Sequence, residues 1–184
     1  MALDNVFTGA NGTLTLAHED TPEGADASAI MDPYTLQTVG RVTNVEVYVQ
    51  TDLEEFYQIG RRHPVSLHAS NIRIGGKVGR AYVNGALLWL LLGRGASANN
   101  IAEPYAEPTF NMSILLSDPE IPGNSIGLEL NGVKFQNWAY ALPDNDFVVE
   151  NVSFKALTIR VIDKEAPSGG GQATAVAPKF PTAQ

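Results

Sequence analysis

The stretch Asn71–Gly93, NIRIGGKVGRAYVNGALLWLLLG, narrows the folds open to this chain more than any other. It begins with the period of a strand. Ile72, Ile74, Val78 and Tyr82 share one face, and Arg73, Lys77 and Ala81 take the other. Then the period changes. Asn84 suits a helix cap, Ala86 to Leu92 are strong helix formers, and Gly93 is a natural stop, which predicts a helix over about 84–93. A helix of ~10 residues is marginal alone. This one has no polar face, so it must be covered on more than one side. A sheet can cover one side; a second subunit is the natural cover for the other. Leu88, Trp89, Leu91 and Leu92 are the candidates for that contact. Each such side chain contributes roughly 1.5–3 kcal/mol when fully buried.

The rest of the chain reads as strands. Val45, Val47 and Val49 alternate with Glu46, Tyr48 and Gln50, and the parity runs on through Leu53, Tyr57 and Ile59, predicting one long bent strand. Val65 to Ser70, Thr109 to Ser117 and, more weakly, Thr13 to Ala17 alternate in the same way. Gly75, Gly76 and Gly79 fall inside a strand, as bulge or close-packing positions. Asn131-Gly132 has the preferred chemistry of a two-residue type I′ turn, and predicts a hairpin pairing Leu130 with Val133, Glu129 with Lys134 and Leu128 with Phe135. The parity change from Phe135 to Trp138 predicts a bulge near Gln136–Asn137, and a second is expected near Ala156, within a strand from Val148 to Ile162.

Two segments lack such periodicity. Residues 18–38 are rich in acid, Pro and small side chains, and read as a long polar loop. Residues 166–184 are a Gly/Ala/Pro-rich tail expected to be disordered in isolation. The expectation is one β domain over 1–165 followed by that tail: a mainly β, antiparallel sandwich or barrel with one short apolar helix and an extended N-terminal loop.

Composition narrows the function. The net charge of -8 argues against a surface built to grip nucleic acid phosphates. With no cysteine, disulfides, thiol chemistry and Cys-based zinc sites are excluded. The opening residues MALDNVFTG lack a signal peptide's basic and apolar regions, and Ala86–Leu92 is far too short to span a bilayer. His18, His63 and His68 form no tight ligand pair; no G-x-S-x-G elbow or Walker A loop occurs, and Asp144-Asn-Asp146 lacks the Gly and Glu of a calcium loop. No catalytic, cofactor or metal residue is proposed.

The block VGRVTNVEVYVQTDLEEFYQIGRRHPVSLHASNIRIGGKVGRAYVNGALLWLLLG resembles the tail tube proteins of contractile-tailed phages and related injection machines, as does GLELNGVKFQNWAYALPDNDFVVENVSFKALTIRVID. The resemblance rests on Gly76–Arg80, Asn84–Leu88 and Val152–Ala156, and covers roughly Val39 to Asp163. It implies a structural virion protein of the tail, assembled in the host cytoplasm, whose subunits close into hexameric rings that stack into a tube. It also implies a lumen that houses a tape-measure protein and later passes DNA, with sheath and baseplate proteins as partners. On that view Glu46, Tyr48, Gln50, Glu129 and Lys134 are candidates to line the lumen. An acidic wall would repel DNA and let it slide. A small β-barrel ligand-binding module and a capsid decoration or baseplate protein are the alternatives; the first predicts a monomer with an apolar cavity.

Overall fold

The computed structural model describes residues 7–34, 36, 38–82, 84–96, 107–117, 123–165 and 173–178. Its strands are β1 (Gly12–His18), β2 (Val42–Phe56), β3 (Ser66–Ala81), β4 (Phe110–Ser117), β5 (Ser125–Ala141), β6 (Val149–Ala156), β7 (Thr158–Glu165) and β8 (Thr174–Val176). Two α-helices join them, α1 (Pro22–Tyr34) and α2 (Ala86–Leu92). All strand pairs are antiparallel.

The architecture follows from one bent ribbon. β5 pairs with β7 through its first half and with β6 through its second. The β6–β7 break at Leu157 lies opposite Gly132, so both chains of the ribbon bend at one place. Each half builds its own sheet. Sheet I runs β1-β4-β5-β7-β8, and sheet II runs β2-β3-β6-β5. The result is a curled, half-barrel sheet around a single core. Leu14 and Leu16, Phe110 and Met112, Leu130 and Val133 come to that core from sheet I; Val78, Val152, Phe154 and Phe135 come from sheet II. Phe110 meets Phe135 edge-on, with centroids 4.9 Å apart, which joins the two sheets directly.

The sequence pattern holds in much of this. β1 and β4 occupy the expected spans, and β2 is a single long strand with an irregularity between Thr51 and Leu53. The register also shifts between Phe135 and Asn137, where a bulge was expected. Gly76 is a close-packing position: a Cβ there would stand 2.0 Å from the Glu46 carbonyl oxygen and 2.6 Å from the Phe154 ring. α2 sits inside the predicted helix, ends at Gly93, and passes into a 3-10 turn over Gly93–Ala96.

Three expectations are corrected. Asn131-Gly132 is not a hairpin turn, because the ladder to β7 and β6 runs straight past it and the chain reverses only between Ala141 and Val149. The physical reason is shared chemistry: Gly132 does adopt φ +62°, but as a bend inside a strand rather than a turn. Leu130 therefore pairs with Ile159 and Met112, Leu128 with Val161 and Ile114, and Phe135 with Phe154. Secondly, residues 18–38 are not an extended loop. Thr21 Oγ1 accepts from the Gly24 N–H at 3.0 Å, Pro22 opens the helix, and α1 follows. Its buried positions are Gly24, Ala27 and Met31, two of them too small to register as an apolar stripe. Thirdly, part of the tail is structured: Thr174–Val176 pairs with β7. The expectations for residues 97–106, 118–122, 166–172 and 179–184 fall outside the described residues.

Candidate functional site

α2 rests on the core through Ala86, Leu87 and Leu90. Leu88, Trp89 and Leu91 are only partly covered, and Leu92 is exposed. Leu88, Trp89 and Leu92 therefore lie on the outward part of the helix, whereas Leu91 also packs against the core. A buried ion pair fixes the helix start. Arg80 and Glu150 are 3% and 0% exposed, and the Arg80 guanidinium donates to the Glu150 carboxylate. Arg80 Nη2 also donates to the Asn84 carbonyl at 3.2 Å and to Asn84 Oδ1 at 3.1 Å. Asn84 Oδ1 in turn accepts from the Ala86 N–H, and Trp138 Nε1 donates to Glu150 Oε2 at 2.8 Å. Both Glu150 carboxylate oxygens, and the Nε and Nη2 groups of Arg80, thus have partners, which is what lets the charges be buried. The sequence carried a signal for this network that the pattern reading missed. Arg80 falls on the apolar parity of Ile74 and Val78, and Glu150 on that of Val152 and Phe154.

Sheet II has two further properties. Its edges are open among the described residues: β2 along Val42–Phe56 on one side, and residues 134–141 of β5 on the other. Beyond Thr51 the β2–β3 hairpin projects, exposing Leu53, Phe56, Tyr57, Ile59, Val65 and Leu67. Such edges and apolar side chains are an aggregation hazard unless something covers them.

Its polar face gathers four of the five lumen candidates. Glu46, Tyr48 and Gln50 lie along β2, Lys134 lies on β5, and Arg73, Lys77 and Lys155 join them across the ladder. Glu129 is elsewhere. It lies in sheet I, opposite Ser113 and Arg160, with Oε2 3.8 Å from Arg160 Nη1. The bend at Gly132 separates it from Lys134, whose ammonium instead meets Glu23 of α1 at 3.0 Å. Lys134, together with the Thr109 hydroxyl at 2.9 Å, holds the Glu23 carboxyl below its usual range. Arg73 pairs with Asp52 at 2.6 Å. This face is not the acidic wall that the net charge suggested: Arg73, Lys77, Lys134 and Lys155 stand there against Glu46, Asp52 and the incoming Glu23.

Tyr48 lies across Gly75. A Cβ on Gly75 would stand 2.8 Å from the Tyr48 hydroxyl and 3.0 Å from its Cζ, so only glycine lets the ring lie down on the sheet. Among the described residues, no group of His, Asp and Glu could hold a metal ion, and no helix is long and apolar enough to cross a membrane.

No protein-family model matches the chain, and no curated protein matches it in sequence. Solved structures do match in fold. A chain of the sheath/tube terminator of the extracellular contractile injection system PVC, in its extended state, is 8% identical with a TM-score of 0.60, over 87% of this chain and 99% of that one. A chain of the anti-feeding prophage baseplate is 12% identical with a TM-score of 0.58, over 88% and 97%. The SPP1 tail tube is 8% identical with a TM-score of 0.53, over 85% and 78%. Through this curled sheet the chain has the fold found in contractile injection systems and in a phage tail tube.

Proposed function

We propose that this chain is a structural, non-enzymatic protein that assembles with copies of itself into the inner tube of a contractile tail. One observation carries the reading: sheet II is an antiparallel sheet of four strands with both edges open. With an even number of strands, the two edge strands run in opposite directions. β2 of one copy can therefore pair antiparallel with residues 134–141 of the next, and every polar face stays on the same side. Repeating that step around an axis closes a continuous barrel and leaves no edge. The outward residues of α2 and the projecting hairpin then have neighbours to cover them. The hexameric count, the stacked rings, the tape-measure protein in the lumen and the passage of DNA are part of the proposal, and their support is the tail tube resemblance. Sheath and baseplate proteins are the further partners, and the virion tail is the location. The partnership is supported by structural neighbours that come from sheath-tube, baseplate and cap assemblies.

Negative-stain electron microscopy of the purified chain over a range of concentrations, with and without a nucleating baseplate complex, tests this. Hollow rings or tubes of uniform diameter are expected. A monodisperse monomer under all of these conditions would overturn the reading.

A further inference from the structure

The two ends of sheet II carry apolar surfaces of opposite charge. At one end β2 and β3 run on past Ala156, the last β6 residue in their ladder, for about 23 Å. Their tip, residues 57–65, is exposed throughout and carries Ile59 and Val65 beside Arg61 and Arg62. Its own backbone holds it: the Arg61 N–H donates to the Gln58 carbonyl at 3.1 Å, and the Val65 N–H to the Phe56 carbonyl at 2.8 Å. At the other end, residues 142–148 join β5 to β6. There Leu142 and Phe147 are 71% and 82% exposed, beside Asp144 and Asp146. Tyr82 and Tyr140, stacked with centroids 5.9 Å apart, extend that apolar surface. Among the described residues none of these four charges has an ion-pair partner; Asp146 accepts only from the Phe147 N–H, at 2.7 Å. The other charges nearby do not cancel the contrast. Beside the tip, Glu55 accepts from the Tyr57 hydroxyl, Glu54 lies across from His68, and His63 adjoins the arginines. At the loop end Glu150 is paired with Arg80, and Arg41 stands two or three strands away, about 10–14 Å across the sheet.

We infer that the β2–β3 tip of one copy docks on the 142–148 loop of the next, head to tail along the strands, with Arg61 and Arg62 against Asp144 and Asp146. Tip and loop of one copy lie roughly 45 Å apart, so they cannot meet within a chain. Only the head-to-tail arrangement sets unlike charges together. Tip against tip would face Arg with Arg, and loop against loop Asp with Asp. The same step covers Ile59 and Val65 with Leu142 and Phe147, and the tip is already ordered, so docking costs little freedom. Pairing β2 with residues 134–141 of a neighbour keeps every tip on one rim and every loop on the other. Such rings would therefore stack with a single polarity. The inference rests on the self-assembly reading for its partner, a second copy of this chain.

Crosslinking of the full chain tests this, with rings and tubes scored by electron microscopy in the same samples. The chain has no cysteine, so Gln58→Cys with Asn145→Cys supplies two thiols too far apart to be bridged within one copy. A short bismaleimide should give a ladder of dimers, trimers and longer chains from the double variant, and monomers from either single one. In that background Arg61→Glu with Arg62→Glu should abolish the ladder and raise the concentration needed for tubes about tenfold or more. Asp144→Arg with Asp146→Arg should do the same. Mixing the two reversed proteins pairs unlike charges again and should restore both ladder and tubes. No ladder at any concentration, a ladder indifferent to both reversals, or no recovery on mixing overturns the contact. So do dimers from Gln58→Cys alone, which would join tip to tip. Rings that neither stack nor cross-link remove this contact and leave the closed barrel; a ladder without rings removes the barrel and leaves the contact.

Discussion

Gly132 and Leu157 face each other across the bend of the β5/β6–β7 ribbon, so closely that a methyl group on Gly132 would stand 2.5 Å from Leu157 Cδ1. Gly132 also holds φ +62°. Two separate costs therefore meet any larger residue there, one from the backbone and one from the clash. Gly132→Val should destabilise the fold by about 1–3 kcal/mol from backbone strain alone, with the clash added. Urea denaturation followed by far-ultraviolet circular dichroism measures it. The clash is separable. Leu157 is largely exposed, so Leu157→Ala should cost little by itself and should recover part of the loss in Gly132→Ala. Strict additivity of those two substitutions would place the bend elsewhere.

The Arg80–Glu150 pair makes a sharper demand. Glu150→Gln keeps the shape and removes the charge, leaving a buried guanidinium uncompensated, at a cost of about 3–5 kcal/mol. Trp138 donates to the same carboxylate, so its fluorescence reports the change directly. The substitution should lower the thermal midpoint and alter the Trp138 emission together. An unchanged midpoint would mean that the pair is not buried in solution.

The Glu23–Lys134 contact gives a pH dependence with a definite sign. Glu23 is held below its ordinary range by hydrogen bonds from Lys134 and Thr109, so its folded-state value lies under its unfolded one. Its contribution is then fully present above the unfolded carboxylate value, and it is lost as pH falls through the lowered folded value. The thermal midpoint of the wild type should exceed that of Glu23→Gln slightly at neutral pH, and the gap should close in acid. The effect is small because both side chains are solvated. A gap that widened on acidification would give Glu23 the opposite role.

Assembly should be sensitive to Trp89→Asp, which puts a charge on the outward part of α2 without touching Leu87 or Leu90. The variant is expected to fold and to fail to form rings. Rings of normal appearance from a soluble Trp89→Asp protein would remove α2 from the subunit contact.

Hydrogen exchange addresses the open edges. Outward-facing amides of β2 and of residues 134–141 should exchange quickly in the dispersed chain and slowly in the assembled one, while β3 and β6 are protected in both. Equal protection in the two states would mean that these edges are not the joint.

Much of this fold was legible because simple periods survive in it. The alternation along β2 and β4, and the change of period before α2, each report one buried face. What was not legible had specific causes. Asn131-Gly132 offers a left-handed backbone, and a turn and a strand bend ask for the same thing; only the partners of Leu130 and Phe135 tell them apart. α1 hid because Gly24 and Ala27 bury backbone rather than bulk. The same bend explains the candidate surface. Glu46, Tyr48 and Gln50 share a face by their own alternation, and Lys134 reaches that face through the β6 ladder rather than through the expected hairpin, which leaves Glu129 in the other sheet. The charge of the face was misjudged because net charge is an average. Arg73 and Lys77 share a face by the alternation of β3 itself, but Lys155 joins them, and they join Glu46 and Lys134, only through pairing between distant strands, which leaves no local trace.

Because β5 belongs to both sheets, the subunit has no plane along which one sheet can slip past the other. A pull along the strand direction on sheet II is passed to sheet I through an unbroken covalent backbone, with Gly132 and Leu157 as the elbow. Each copy would behave as a single stiff strut under axial load, and any give in an assembly would have to come from the joints between copies.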